Sequence, residues 1–278
     1  MTQPVLRFHK SLRQSVSDGA VIFKGNHTEF EPNADGLSRL RGKSSIFVYS
    51  HLLPSFIDRV LPKLDHRFVL ISHNSDAGID ARFQRALDDP RIVHWFAQNA
   101  TIEHPKLTAL PIGIANAMWP HGHIESLVGA AAAVPRQRKA LVYCNFAVST
   151  NPSIRAPLLA KLSKSDVTWC APARRFADYL AEMASCQWCV SPTGNGVDCH
   201  RTWEALYLGV VPILSRMQVA LALYEGLPVI FIDDLSDISK AVIDAEQRRI
   251  DGMQFDLSHL TMSRWRHRIG ATVRQIGQ

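Results

Sequence analysis

Residues 189–214 read CVSPTGNGVDCHRTWEALYLGVVPIL, and this stretch is the most informative part of the sequence about the fold. Its start, 189–191, is typical of a buried strand, and 200–208 has a helical pattern behind a glycine-bearing loop. The apolar run 210–214 follows Gly209, and glycine is the residue most common just past a helix end. A strand, loop, helix and strand in this order predict part of a parallel α/β sheet.

The loop and the start of the helix suit a negatively charged ligand. Gly194 and Gly196 let the backbone approach a ligand closely, and the N–H groups of a helix N-terminus favour an anion. We expect Asp198 to cap the helix, Arg201 to contact a phosphate, and Glu204 to accept hydrogen bonds from ribose hydroxyls. The alternative is a surface ion pair between Arg201 and Glu204, with the glycines making only a turn.

Strands and helices alternate along the rest of the chain. We predict strands at 46–50, 67–72, 92–97, 108–112, 140–144 and 229–232, and helices at 54–61, 79–87 and 152–162. Asn151 fits the N-cap of the third helix, with Pro152 in its first turn. The small and basic segment 129–139 is interpreted as a link. The sequence therefore predicts two α/β domains, 1–130 and 131–278. Whether the last helix packs back on the first domain is left open.

The composition excludes several classes of protein. With 278 residues, 46% hydrophobic and 20% charged, the chain is neither collagen-like, low-complexity nor disordered. No apolar run reaches the roughly 20 residues of a membrane span, and the start of the chain lacks a signal-peptide pattern. The five cysteines, an odd number, fit reduced thiols. These features predict a cytoplasmic location.

The net charge is +6, and after Asp256 there are four arginines and no acidic residue. The first interpretation of this basic segment is a solvated terminal helix. The alternative is peripheral contact with the inner face of the membrane or with an anionic acceptor, because basic residues around Trp265 suit a lipid surface. Zinc-finger spacing, basic heptads and aromatic RNA-binding motifs are missing from the sequence, so no nucleic-acid partner is predicted.

Residues 189–214 resemble the signature of exostosin-like glycosyltransferases, in particular small bacterial or viral members. The family pattern is a loop with proline and glycine, an Arg, a Glu-Ala pair and a Gly-x-x-Pro strand. The matching residues are Pro192, Gly194, Gly196, Arg201, Glu204, Ala205, Gly209 and Pro212. Residues 143–155, YCNFAVSTNPSIR, are similar to the segment that opens the family's donor-binding domain. The resemblance implies a GT-B fold, α/β with two Rossmann-like domains facing each other across a cleft.

The resemblance further implies an enzyme that transfers a sugar from a nucleotide-diphosphate sugar to a glycan hydroxyl. A UDP-sugar is the first candidate for the donor. The first domain would bind the acceptor and the second the donor. Pro212 stands where many GT-B enzymes carry a second Glu, which argues for inversion. The expected donor-binding residues are Asn145, Thr150, Asn151, Arg155, Ser191, Pro192, Gly194, Asn195, Gly196, Asp198, Arg201 and Glu204.

An inverting transfer needs a base for the acceptor hydroxyl. Asp76, just past the strand at 67–72, is the first candidate, with His73 and His51 as alternatives. Asp76 could instead cap the next helix, a role that Asp80 fits comparably well. The residues expected to line the acceptor side are His51, His73, Asn74, Gly113, Asn116 and Trp119. Trp119 could stack on a pyranose, or serve only in packing.

No metal or other cofactor is predicted. Cys186 and Cys189 have metal-like spacing without a second pair, and His121 and His123 lack a carboxylate cluster. Asp233 and Asp234 resemble the paired acidic residues of metal-dependent glycosyltransferases. They follow a late strand, however, and in this architecture would lie outside the donor loop. Two further functions stay open: a non-catalytic nucleotide- or sugar-binding protein, and a dinucleotide-dependent enzyme. The second is disfavoured because no Gly-x-Gly-x-x-Gly follows an early strand.

Overall fold

The computed structural model describes residues 22–23, 34–217 and 220–277. The strands of this part are β1 (Ile22–Phe23), β2 (Ser45–Tyr49), β3 (Phe68–His73), β4 (Ile92–Gln98), β5 (Leu107–Leu110), β6 (Lys139–Cys144), β7 (Thr168–Cys170), β8 (Cys186–Val190), β9 (Val211–Ser215) and β10 (Ile230–Ile232). They form two sheets of five strands, and every strand pairing is parallel. The predicted α/β class with two parallel sheets is confirmed.

Helices connect the strands. The α-helices of the described chain are Ala34–Leu40, Leu53–Ser55, Gln84–Leu87, Ile124–Ala132, Pro152–Leu162, Phe176–Ala184, His200–Tyr207, Lys240–Asp251 and Met262–Arg274. Phe56–Val60 is a π-helix, and 3-10 helical turns of the described chain are Ser50–Leu52, Leu61–Lys63, Ala81–Phe83, Pro120–Gly122, Val148–Thr150, Leu221–Tyr224, Leu235–Asp237, Leu257–Leu260 and Gln275–Gly277. The helix predicted at 54–61 is thus a series of short pieces, since Pro54 and Pro62 each lack an N–H for a continuous ladder.

Contacts divide the chain into two units. The second unit is residues 113–260, and the first contains the described residues up to 112 together with 261–277. The division therefore lies before Gly113 rather than at 130/131, because helix Ile124–Ala132 packs against helix Phe176–Ala184. The segment at 129–132 is the end of that helix and not a link, as suits alanine, the best helix former. Helix Met262–Arg274 packs on β3, in the first unit.

The first sheet keeps the order of the chain, from β1 to β5. Every residue of β2 and β3 is buried, as expected for parallel strands covered on both faces. Their register pairs Tyr49 with His73, so the two strands end side by side. The helix predicted at 79–87 begins only after Asp80, whose carboxylate accepts a hydrogen bond from the N–H of Arg82. The predicted capping role of Asp80 is confirmed.

The second sheet has the order β10-β9-β8-β6-β7. From β6 the chain moves outward to β7, then returns to the other side of β6 to form β8, so the strand order reverses between β6 and β8. In open α/β sheets, ligands bind at the carboxyl ends of the strands that flank such a reversal. Gly209 has a φ of +66°, the left-handed conformation predicted after the helix.

Candidate functional site

The strand-order reversal brings the two sequence motifs together. β6 ends at Cys144, and Asn145 follows it; β8 ends at Val190, and Ser191 follows it. The register pairs Tyr143 with Cys189, so both loops leave the sheet at the same edge. The segments 143–155 and 189–204, 34 residues apart in sequence between their inner ends, therefore share the edge where α/β proteins bind ligands.

Helix His200–Tyr207, here called the signature helix, begins after Cys199, which occupies the N-cap position without a side-chain cap. The expectation that Asp198 caps this helix is wrong. Its buried carboxylate instead accepts hydrogen bonds from Trp203 Nε1 at 2.9 Å and from the Tyr224 hydroxyl at 2.8 Å. Asp198 therefore anchors the end of the loop to the aromatic core, where Trp203 stacks on Tyr224.

Glu204 lies one turn into the signature helix and is only 3% exposed. Its Oε2 accepts a hydrogen bond of 2.8 Å from the Tyr179 hydroxyl. Burial raises the pKa of Glu204 to about 7, although the Tyr179 hydrogen bond and the charge of Arg201 act to lower it. In the part of the chain that the structure describes, no ion pair joins Glu204 to Arg201. The alternative of a surface ion pair is thus wrong, because the carboxylate lies inside the protein.

Arg201 carries a buried hydrogen-bond donor that none of the described residues accepts from. Its Nε donates to the Asn145 carbonyl at 2.9 Å, and its guanidinium lies 5.7 Å from the centre of the Phe146 ring. The Nη1 atom is buried and has no hydrogen-bond partner among the described residues. A buried donor without an acceptor is costly, and a ligand oxygen would relieve that cost. A phosphate oxygen is a suitable partner for a guanidinium.

Arg155 has a different role from the one expected. Its guanidinium donates to four protein oxygens around the glycine loop: the carbonyls of Ala147, Pro192 and Thr193 and the hydroxyl of Thr150. The side chain is 4% exposed, and it positions the loop rather than presenting its N–H groups to a ligand. A Cβ on Gly194 would lie 2.9 Å from Arg155 Nη2, so the close approach of loop and guanidinium requires glycine.

The other expected donor residues surround the same loop. Asn145 Nδ2 donates to the Pro172 carbonyl and the Tyr143 hydroxyl, and Asn151, at the predicted N-cap position, holds the carbonyls of Thr193 and Gly194. The Ser191 and Thr202 hydroxyls are 2.9 Å apart. The Gly196 carbonyl accepts a hydrogen bond from the Gly194 N–H, and Asn195 is exposed between them. These side chains hold the loop in one conformation.

Phe146 is a residue of this site that the sequence reasoning missed. Its ring lies 5.5 Å from the Arg155 guanidinium and 5.7 Å from that of Arg201. Burial and the neighbouring charge of Arg201 both lower the pKa of Arg155. Within the described residues neither arginine forms an ion pair, so positive charge accumulates at the loop. The only signal for Phe146 was its position directly after Asn145, at the end of a strand.

The candidate bases lie in the first unit, after β2 and β3. Asp76 is exposed, whereas His73 is 3% exposed, with Nε2 3.1 Å from the Pro111 carbonyl. His51 is half-buried and stacks on Tyr49. Asn74 has a left-handed φ of +64°, and its N–H donates to Gln98 Oε1. Of the three candidates, Asp76 is therefore the most accessible to solvent.

Gly113, Asn116 and Trp119 belong to the second unit and not to the first, where the sequence placed them. The Gly113 carbonyl lies 2.6 Å from Nδ1 of His200, the first residue of the signature helix, and this contact joins the segment to the donor motifs. Trp119 is 51% exposed, so about half of its side-chain surface is open to solvent and the rest is packed. His200 was not among the expected residues, and no sequence pattern distinguishes it.

The structure also describes the acidic pair and the cysteines that the sequence analysis did not assign to a metal site. Asp233 pairs with Arg216, and Asp234 accepts a hydrogen bond from the N–H of Ser236 at the start of a helical turn. All five cysteines are free thiols. Within the described residues, no cluster of three His, Cys, Asp or Glu side chains could hold a metal ion.

Trp265 is 2% exposed and packs inside the first unit. The Trp265 ring is therefore not exposed for contact with a lipid surface, whereas Arg266 and Arg268 of the same basic helix are exposed. Among the helices that the structure describes, none combines the length and apolar character needed to cross a membrane.

Comparisons with known proteins find similarity among solved structures. No protein-family model matches the chain. No curated protein matches it either. Among solved structures, the chain is similar to SsfS6, a glycosyltransferase of Streptomyces sp. SF2575, with 15% sequence identity. The match covers 86% of this chain and 70% of that one, with a TM-score of 0.35. A likeness at this level establishes no activity for the present chain.

Proposed function

We propose that this protein is a glycosyltransferase that uses a nucleotide-diphosphate sugar and transfers its sugar to a glycan hydroxyl. One observation supports this most directly. Beside the strand-order reversal, the signature helix carries Arg201, whose buried Nη1 has no partner in the described chain, one turn from the buried carboxylate of Glu204. A cation for a diphosphate and a carboxylate for a diol, next to a helix N-terminus, form a recognition set for a nucleoside diphosphate.

The donor is bound in this proposal by the second unit. The glycine loop, held by Arg155, and the N-terminus of the signature helix receive the diphosphate together with Arg201. One carboxylate oxygen of Glu204 accepts hydrogen bonds from the two ribose hydroxyls, while the Tyr179 hydroxyl donates to the other, Oε2, and orients the group. The proposal includes membership of the exostosin-like group with its GT-B fold, and UDP as the nucleotide, because the motif residues Pro192 to Pro212 resemble that group.

The reaction is a single displacement with inversion. The acceptor oxygen attacks the anomeric carbon, the bond from that carbon to the diphosphate oxygen breaks, and the diphosphate leaves with the electron pair. The acceptor proton passes to a base, for which Asp76 is the first candidate and His73 and His51 are the alternatives. Arg201 and the loop N–H groups stabilise the charge that develops on the leaving diphosphate, without a metal ion. A cytoplasmic enzyme of polysaccharide biosynthesis fits this chemistry.

The experiment that tests the proposal is a thermal-shift panel with UDP, GDP, UDP-glucose, GDP-mannose and NAD, with and without EDTA. We expect a UDP compound to raise the melting temperature and EDTA to leave that rise unchanged. The variant Arg201→Ala should lose the rise, whereas the control Arg175→Ala should keep it, since Arg175 is exposed and pairs with Asp178. Stabilisation by NAD alone would contradict the proposal.

Transfer itself is measured by incubating the protein with the stabilising nucleotide sugar and glycan acceptors, and by following release of the nucleoside diphosphate. Nucleotide binding without release across an acceptor panel would favour the non-catalytic binding protein. Release that EDTA abolishes and Mn²⁺ restores would contradict the metal-free mechanism.

A further inference from the structure

Trp119 is a large aromatic side chain that lies half in solvent, at 51% exposure. The backbone around it is tightly constrained. The Trp119 N–H donates to the Asn116 carbonyl at 3.0 Å, and the Gly122 N–H donates to the Trp119 carbonyl at 2.9 Å. A Cβ on Gly122 would lie 2.0 Å from the Asn116 oxygen, so only glycine permits this double turn. The indole is therefore presented by a rigid segment.

One side of the indole is supported by a second ring. The His121 imidazole lies 6.3 Å from it, with an angle of 13° between the planes. His121 in turn lies 6.0 Å from the ring of His200, the first residue of the signature helix, and the planes of these two rings are tilted by 50°. Burial lowers the pKa of His121, which favours the neutral form of its imidazole. Two ring contacts thus connect the exposed indole to the helix that carries Arg201 and Glu204.

We infer that the Trp119–His121–His200 series is a stacking platform for the sugar ring of the nucleotide-sugar donor. A flat, supported aromatic surface suits the apolar C–H face of a pyranose. The inference rests on the proposed function, which places the diphosphate at the start of the signature helix. In a nucleotide sugar the sugar ring is bonded directly to the diphosphate, whereas the nucleobase is separated from it by the ribose. A ring surface joined to the helix start therefore fits the sugar better than the base.

The test compares a nucleotide with its sugar conjugate on three variants. Isothermal titration measures the affinity of UDP and of UDP-glucose, or of GDP and GDP-mannose if the wild type selects GDP. The variants are Trp119→Ala, Trp119→Phe and the control Leu257→Ala, which removes a side chain of the same unit with 52% exposure. Both positions are exposed, so we expect melting temperatures of all three variants close to the wild type.

For Trp119→Ala we expect unchanged affinity for the nucleotide and a loss of about 3- to 10-fold for the nucleotide sugar, the size of an aromatic stacking contact. Trp119→Phe should keep most of the affinity, and Leu257→Ala all of it. Equal weakening of nucleotide and nucleotide sugar would assign the indole to the base and overturn the inference. Unchanged affinity for both would also overturn it, while the proposed function stands. Failure of the wild type to bind any nucleotide would overturn both.

Discussion

The two five-stranded sheets share their strand direction but differ in strand order and in the polar groups that they bury. The first runs in chain order from β1 to β5, whereas the second reverses between β6 and β8. The buried polar side chains of the first sheet and its loops, at 45–99, are serine, histidine, glutamine and asparagine. The second unit buries Arg155, Asp198 and Glu204. Burying charge is costly unless partners or ligands compensate, and this difference supports the proposal that the second unit binds the diphosphate.

The first sheet offers a different kind of chemistry. Its carboxyl edge carries Asp76, exposed to solvent, and the imidazoles of His51 and His73. In the proposed mechanism these groups take part in proton transfer, whereas the diphosphate is bound in the other unit. In the proposed function, strand order and not sheet size separates the two roles. Four experiments test it.

The largest effect is expected for the base. Asp76→Asn should lower the turnover number by about 10²- to 10⁴-fold, because the amide cannot accept the acceptor proton. Donor affinity should stay the same, since the donor residues are in the other unit. Steady-state kinetics with the matched control Asp80→Asn, which removes the ion pair with Arg82 and keeps a capping oxygen, measures the difference. A near wild-type rate in Asp76→Asn would move the assignment to His73 or His51.

Removal of the Arg201 guanidinium should weaken nucleotide binding by about 10- to 150-fold, the range of a charge-assisted hydrogen bond to a phosphate. Arg201→Lys should recover part of the loss, because it restores the charge without the planar fork. Titration calorimetry with UDP measures both variants. Equal affinities for wild type and Arg201→Ala would remove the anion site from the second unit, and the contrast between the sheets would lose its basis.

Replacing a glycine by alanine should have opposite effects on stability in the glycine loop and in an ordinary helix. Gly194→Ala brings a methyl group against Arg155 and should destabilise the fold by about 1–3 kcal/mol, with weaker nucleotide binding. At Gly129, in helix Ile124–Ala132, a Cβ meets nothing within 4 Å, so Gly129→Ala should stabilise by about 0.5–1 kcal/mol. Denaturant unfolding measures both. Similar effects at the two positions would show that the loop tolerates a side chain.

The smallest effect is the pH dependence of donor binding. Because the pKa of Glu204 is raised to about 7, the carboxylate is protonated below that pH and ionised above it. Affinity for UDP-glucose should therefore rise by up to about 10-fold between pH 6 and pH 8, and Glu204→Gln should abolish this dependence. Between the unfolded pKa near 4.5 and the folded pKa near 7 the native state binds the extra proton, so the free energy of unfolding falls as pH rises. A flat binding profile in the wild type would contradict the ribose role.

Local patterns predicted four of the five strands of the second sheet, β6, β8, β9 and β10, and two helices of the second unit. The helix over 152–162 and its N-cap at Asn151 agree with the structure, as does the left-handed Gly209. Three-residue β7 and helix Phe176–Ala184 were not predicted, because a short edge strand has too few residues for a periodic signal. The link assigned to 129–139 was wrong in its first part, where small residues extend a helix instead of ending it.

The sequence by itself determined the two α/β halves and the placement of Arg201 and Glu204 on one helix, because hydrophobic periodicity and residue spacing are local properties. Tertiary structure decided what those residues do. The strand reversal beside β6, the use of Arg155 by the loop and of Asp198 by Trp203, and the Trp119–His121–His200 series depend on contacts between segments distant in the chain. Such contacts satisfy buried hydrogen-bonding groups and fill space, and the partners of a buried group are set by the packing of the whole unit.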